Sequence, residues 1–173
     1  MNRSEGVQIH FSENERNMSE SKLEDPINIE HVAKRKGPGN SDLSYIEHFQ
    51  AVENANEIFG ATRWSCEIKN IRILYKDQTS NGNYNVGISA CMKVSLLNGG
   101  QHEDVGWGDA QNMKKLGDAY EKAYKTAVSD ARKRCLRVFG NRLGNCLYNK
   151  NFVKSVRNGS LSKKQQEKDV FPK

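Results

Sequence analysis

The strongest pattern of apolar and polar positions lies near the C-terminal end of the chain, over residues 116–139. Apolar residues recur there every three or four positions, at Leu116, Tyr120, Ala123, Ala127, Ala131, Cys135 and Val138. This spacing is typical of a helix that buries one face. Gly140 follows, and glycine often ends a helix in a left-handed turn. The pattern predicts a long helix over about residues 113–139.

Between residues 63 and 108 apolar residues alternate with polar ones, which is the period of β-strands. In the first strand the alternation changes phase between Ile68 and Ile71, which indicates a bulge. The second strand has apolar residues at every even position from 86 to 96, and turns rich in Asn and Gly flank it. A third strand is expected over 101–108. Three strands joined by tight turns predict an antiparallel meander.

A second helix is predicted before the sheet, over about residues 42–59. Ser41 is a suitable N-cap and Gly60 a suitable stop. Its core face would hold the residues at helical spacing, Tyr45, Phe49, Val52, Asn56 and Phe59. Together the patterns predict an α+β fold, in which a helix precedes an antiparallel β-meander of three to four strands and a long helix packs across the sheet.

The length of 173 residues suits one domain with tails. We expect a disordered N-terminus over 1–13, a folded domain over 14–156 and a basic flexible tail over 157–173. No run of eighteen apolar residues and no apolar N-terminal segment is present, which argues against a membrane span and against secretion. The cysteines lie far apart inside apolar patterns and are expected to be small buried side chains in a reducing compartment, at Cys66, Cys91, Cys135 and Cys146.

The chain is basic, with a formal net charge of +6, and the charge is concentrated on particular segments. Lys133, Arg134 and Arg137 project within one narrow sector of the long helix, where only Asp130 is placed to neutralise them. Such a face is suited to a polyanion, although a solvated helix face is the simpler alternative. Further basic clusters lie at Lys34, Arg35 and Lys36, beside a Gly-Pro-Gly turn, and at Lys114 and Lys115. On the residues alone, a phosphate-binding loop and a solvated loop at 34–36 are equally good interpretations.

Signs of catalysis are weak. The chain has no phosphate-binding loop motif, and the Gly-Trp-Gly at 106–108 is too short for a dinucleotide fingerprint. His102, Asp104 and Asp109 are the candidate metal ligands and would support a metal-dependent nuclease as the least favoured alternative. Exposed aromatic residues would be needed for base stacking, and the candidates are Tyr45, Tyr84, Trp107 and Tyr124, each of which is also a suitable core residue.

Three segments resemble the DNA-binding domain of the eukaryotic Rad52 family of single-strand annealing proteins. They read YIEHFQAVENANEIFG at 45–60, HEDVGWG at 102–108 and KAYKTAVSDARKRCLRVFGNRLGNCLYNK at 122–150. Their order and separation also agree with the family, and the resemblance extends over about residues 11–155. The resemblance rests on the combination of the three segments and not on any one of them.

The resemblance implies a fold of a β-meander and a long helix that assembles into a closed homo-oligomeric ring in the nucleus. Single-stranded DNA would lie in a basic groove around the ring, with its backbone inward and its bases outward, and complementary strands would be annealed in double-strand break repair. No catalytic residue, metal or cofactor is implied, and no nucleotide is hydrolysed. The cations that line the family's groove match Arg35, Lys133, Arg134 and Arg137, which favours the functional interpretation of Lys34–Lys36.

The chain departs from the family pattern at two places. A second family site for DNA matches Lys114, but its other lysine aligns with Asn83, so that this site depends on a substitute such as Lys76. Whether double-stranded DNA binds is therefore left open. The long tail through which family members bind the recombinase and the single-strand-coating protein has no counterpart before Lys173, and those partners are not expected. A module that coats single-stranded DNA or RNA without annealing it remains the main alternative.

Overall fold

The computed structural model of the protein describes residues 13–158, which form an α+β fold. The helices are α1 (Glu13–Glu24), α2 (His48–Phe59), α3 (Leu116–Arg137) and α4 (Lys150–Arg157). The strands are β1 (Val32–Lys36), β2 (Asp42–Ile46), β3 (Trp64–Gln78), β4 (Tyr84–Leu96) and β5 (Gln101–Met113). Short 3-10 turns at Asn141–Leu143 and Asn145–Tyr148 join α3 to α4. Among these residues, no helix is long and apolar enough to cross a membrane.

The strands β3, β4 and β5 form the predicted antiparallel meander, with β4 in the centre. The even positions of β4 from Val86 to Val94 are buried and face α3, which packs on β4 and β5. The register of β3 against β4 shifts between Ile68 and Asn70, so the predicted bulge is confirmed. The third strand continues beyond the predicted residue 108 to Met113, because its pairing with β4 extends to Tyr84.

The contact between α3 and β5 brings two backbones together. A Cβ atom on Gly106 would lie 2.1 Å from the backbone nitrogen of Ala131, and one on Gly108 would lie 1.8 Å from the carbonyl oxygen of Ala123. The helix presents only small buried side chains to this part of the sheet, at Ala119, Ala123, Ala127 and Ala131. The Gly-Trp-Gly segment is therefore a packing motif, in which glycine permits the close approach of helix and strand.

The predicted long helix is confirmed, but it begins at Leu116 because Met113 still belongs to β5, and its end differs in two ways. Val138 was expected on the buried stripe but is 43% exposed, because the helix ends at Arg137. Gly140 is extended, with φ of 170°, instead of left-handed. Its lack of a side chain is needed for packing, since a Cβ there would lie 2.5 Å from the carbonyl oxygen of Leu23 in α1.

The prediction of a helix over 42–59 was wrong in its first third. Residues 42–46 form strand β2, which pairs with β1 in a separate two-stranded hairpin, and α2 begins only at His48. The buried face of α2 is consequently shifted, with Ala51, Asn54, Ala55, Ile58 and Phe59 inside. Phe49, which was expected in the core, is 58% exposed.

The four cysteines are free thiols, and two of them match the expectation of burial. Burial raises the pKa of the Cys135 and Cys146 thiols to about 11. Cys91 is half-buried, and Cys66 is exposed because it lies on the edge strand β3. The terminal segments predicted as disordered lie almost wholly outside the described residues, and the domain boundaries stay predictions.

Candidate nucleic-acid interface

A cavity of about 290 Å³ lies between the β1–β2 hairpin and the C-terminal half of α3. The hairpin and the turns after α3 close its two sides. Its charged lining consists of Arg35 from β1 and of Asp130, Lys133, Arg134 and Arg137 from α3. The structure therefore brings together the four cations that were proposed to line a groove, although they come from two elements about one hundred residues apart in sequence.

Strand geometry explains why only one residue of the basic triplet reaches this cavity. Successive side chains of a strand point to opposite faces, so Lys34 and Lys36 lie on the other face of β1 from Arg35. Lys36 pairs there with Asp42 across the hairpin, at 2.8 Å between Nζ and Oδ1. Neither lysine lines the cavity, and any contact of Lys34 or Lys36 with DNA stays a prediction.

Lys133 is a partly buried cation of the cavity. Its ammonium group lies 5.6 Å from the ring centroid of Tyr45 and 3.4 Å from the carbonyl oxygen of Ile46. Burial lowers the pKa of Lys133 below its ordinary value, and the nearby charge of Arg35 adds to this effect. The carboxylates of Asp130 and Glu47 act in the opposite direction. A phosphate at this position would supply the negative charge that stabilises the ammonium form.

The ring of Tyr45 contacts cations from both sides of the cavity. The guanidinium carbon of Arg35 lies 5.4 Å from its ring centroid, so both Arg35 and Lys133 make cation–π contacts with one ring. The sequence indicated Tyr45 as an aromatic residue of interest, but as part of a helix. In the structure it is positioned by strand β2 instead.

Asp104 of β5 orders the two arginines of α3. Its carboxylate accepts a hydrogen bond from Nε of Arg134 at 3.3 Å and lies 3.9 Å from Nη2 of Arg137. Burial alone would lower the pKa of Arg134, but the bond to Asp104 outweighs it and the pKa is raised. The expectation that only Asp130 neutralises this cluster was therefore wrong. Asp104 is far away in sequence, and only the β5–α3 contact brings it near.

Sequence reasoning missed Tyr148, which borders the same cavity. The guanidinium carbon of Arg137 lies 4.1 Å from the Tyr148 ring centroid, and the ring is 62% exposed. In the sequence, Tyr148 lies in a short segment rich in Gly and Asn and outside the apolar stripe of the long helix.

A second cavity, of about 640 Å³, continues the first one along α3. Arg35, Asp130 and Lys133 line both cavities. The second is bounded further by Lys125, Thr126 and Ser129 of α3 and by Trp107 and Asp109 of β5. The two cavities together form one cationic groove, which we call the α3 groove.

Lys114 lies at the other end of the long helix. It precedes α3, and about 27 Å of helix separates that end from Lys133, at a rise of about 1.5 Å per residue. Asn83 lies at the same end of the sheet, where its amide donates a hydrogen bond to Asn112 at 2.7 Å. Any DNA contact of Lys114 would therefore belong to a site separate from the α3 groove, and a compensating role of Lys76 on β3 stays a prediction.

The side chains that the sequence suggested as metal ligands make other contacts in the structure. The His102 ring packs edge-on against Phe139 at 4.5 Å, Asp104 pairs with the arginines, and Asp109 accepts hydrogen bonds from Tyr75 and Gln111. Within residues 13–158, no group of three or more His, Cys, Asp and Glu side chains is arranged to hold a metal ion.

The fold and the groove define a class: an α+β module that presents a cationic, aromatic-lined groove suited to a polyanion backbone. Comparison with known proteins gives the family. A family model described as "Rad52/22 family double-strand break repair protein" matches residues 15–167, and the chain belongs to this family.

Individual relatives agree with that assignment. The chain is 42% identical over 148 residues to the DNA repair and recombination protein RAD52 of Candida glabrata, covering 86% of this chain and 28% of the relative. It is 39% identical over 146 residues to the DNA repair and recombination protein rti1 of Schizosaccharomyces pombe, covering 84% and 39%. It is 41% identical over 137 residues to RAD52 of Saccharomyces cerevisiae, covering 79% and 29%. The chain thus spans less than half the length of these relatives.

Proposed function

We propose that this protein binds single-stranded DNA in the α3 groove and anneals complementary strands without ATP, in double-strand break repair by homologous recombination. The observation that carries the proposal is the convergence of Arg35, Lys133, Arg134 and Arg137 on one groove. Membership of a family of double-strand break repair proteins supports the choice of DNA as the polyanion.

The chemistry of the groove favours the DNA backbone over the bases. Lysine and arginine side chains donate to phosphate oxygens and carry no information about sequence. A strand held in this way stays extended, and its base edges remain free to pair with a second strand. We therefore expect binding with little sequence preference and a strong dependence on salt.

Strand β3 supports the further proposal that the protein works as a homo-oligomeric ring. It is the edge of the sheet that α3 leaves uncovered, and Ile68, Ile73 and Leu74 are 41%, 56% and 47% exposed. A long edge strand with exposed apolar side chains is a natural surface for pairing with another chain. A ring would align many copies of the α3 groove and multiply weak contacts with one strand.

The proposed place of action is the nucleus, where double-strand breaks are repaired. The DNA repair and recombination names of the fungal relatives support this proposal. A second DNA strand is proposed to bind at Lys114, outside the α3 groove.

The test is the annealing of two complementary labelled oligonucleotides without ATP, comparing the wild type with Lys133→Ala/Arg137→Ala. The wild type should accelerate pairing, and the variant should form the same oligomer by mass photometry but lose most of the acceleration. A variant that anneals as the wild type does would contradict the groove assignment. A wild type that binds strands but slows their pairing would be a coating module instead.

A further inference from the structure

The second cavity of the α3 groove contains one large exposed aromatic side chain. Trp107 of β5 lines the second cavity and is 48% exposed, although tryptophan usually buries most of its surface. The same cavity is lined by Arg35, Lys125 and Lys133. A flat apolar ring thus lies in a cavity that also holds three cations suited to phosphate, beside the carboxylates of Asp109 and Asp130.

The backbone of Trp107 is held rigidly by the helix. Its neighbours Gly106 and Gly108 are both in close contact with the backbone of α3. Its own amide donates a hydrogen bond to Oδ2 of Asp130 at 3.2 Å. The indole therefore projects from a fixed point at the edge of the sheet, on the face that carries Tyr75 and Asp109, and it borders the second cavity there.

The indole ring is also supported from one side. Tyr75 packs against it at 6.1 Å between ring centroids, with the planes tilted by 42°. The Tyr75 hydroxyl is fixed in turn, since it donates to Asp109 and accepts from Nε2 of Gln111 at 2.9 Å. These contacts orient the ring while leaving about half of the side chain open.

We propose that Trp107 is a stacking platform for a nucleobase of the single strand bound in the α3 groove. This inference rests on the proposed function and assigns a base contact to a groove whose other contacts are to phosphate. Stacking uses the face of a base and leaves its hydrogen-bonding edge free, so the contact is compatible with annealing and tolerant of sequence. A rigid, preoriented ring also loses little conformational freedom on binding.

The test uses the fact that the chain has two tryptophans. Trp64 is half-buried at the start of β3, where its indole nitrogen donates to Asn56 at 2.8 Å, and Trp64→Phe leaves Trp107 as the sole tryptophan. In that background we expect an oligo(dT) strand to quench the emission of Trp107 in step with binding measured by fluorescence anisotropy. A strand of the same length made of abasic nucleotides should bind without quenching.

Affinity measurements provide an independent readout. Trp107→Ala should weaken binding of oligo(dT) about five- to tenfold, at the lower end of the effect expected for one stacked base. It should change binding of the abasic strand by less than about twofold, and Trp107→Phe should retain most of the affinity. Tyr124→Ala, which removes an aromatic residue of 42% exposure from α3, is the matched control and should bind as the wild type.

The outcomes separate this inference from the proposed function. Full binding of oligo(dT) without quenching, and with normal affinity of Trp107→Ala, overturns the stacking role and leaves the cationic groove intact. Equal weakening of both strands by Trp107→Ala overturns it as well, because the residue would then act through the structure of the groove. Failure of the wild type to bind either strand overturns both proposals.

Discussion

At the scale of single residues, the cations of the α3 groove differ in the groups that surround them. Lys133 is half-buried between Tyr45 and the backbone of Ile46, whereas Arg134 and Arg137 are held by Asp104. Burial lowers the pKa of an ammonium group, so that it can lose its proton at a moderately alkaline pH. A guanidinium group stays charged at every pH that a protein tolerates. The groove should therefore respond to alkaline pH through Lys133.

We predict that the affinity for single-stranded DNA falls as the pH rises from neutral towards 10.5, the ordinary pKa of lysine, because burial lowers the pKa of Lys133 below that value. In this window part of the free protein carries a neutral Lys133, so that binding of phosphate must be accompanied by uptake of a proton. Lys133→Arg should remove most of the decline. The measurement is anisotropy of labelled oligo(dA), whose bases do not ionise in this range, at fixed salt. An equal decline in both proteins would show that Lys133 is not the titrating group.

Sequence alone could identify the cations but not their contacts. Helical geometry places Lys133, Arg134 and Arg137 in one sector, and that needs no structure. The counter-ion Asp104 lies 30 residues before Arg134, and the pairing depends on which face of β5 meets α3. Tyr148 carries no periodic signal, since it lies in a short 3-10 turn.

At the scale of elements, the packing of α3 on the sheet depends on residues without side-chain bulk. Gly106 and Gly108 meet Ala123, Ala127 and Ala131 across an interface in which the helix and strand backbones are in contact. This interface also positions Asp104 and Trp107 of β5 against the α3 groove.

We predict that Gly106→Ala destabilises the protein by at least about 2 kcal/mol, because the added methyl group would overlap backbone atoms that cannot move independently. The measurement is the free energy of unfolding from denaturant titration. Gly117→Ala is the matched control, since no atom lies within 4 Å of a Cβ at that position in α3. It should be neutral or stabilise by less than about 1 kcal/mol. Equal stability of the two variants would contradict the close approach of helix and strand.

The hairpin β1–β2 was the element that sequence could not predict. Tyr45, Phe49 and Val52 have helical spacing, and Ser41 is a good N-cap, so the local signals favour a helix from residue 42. The pairing of residues 42–46 with Val32–Lys36 outweighs this local preference for a helix, because the pairing places Tyr45 and Ile46 against the end of α3. Short strands of mixed charge leave no alternating pattern by which they could be recognised.

At the scale of the whole molecule, the described residues leave one edge of the sheet uncovered. We predict that Ile73→Lys on β3 reduces the size of the proposed oligomer, because a charged side chain there opposes both strand pairing and burial. Ile73 is 56% exposed and lies on the face that α3 covers elsewhere in the sheet. The measurement is mass photometry, with Val105→Lys as a control of 54% exposure on the opposite face. An unchanged oligomer in Ile73→Lys would exclude this edge as the contact.

The most direct test of the account is the salt dependence of binding to single-stranded DNA. Lys133→Gln and Lys93→Gln make the same chemical change, the first in the α3 groove and the second on the opposite face of the sheet, between Glu67 and Glu103. The slope of log affinity against log salt should become shallower by about 0.7 in Lys133→Gln, which is the value for one lost phosphate contact, and should stay unchanged in Lys93→Gln. Equal slopes in the two variants would contradict the central claim that DNA phosphates lie in the α3 groove.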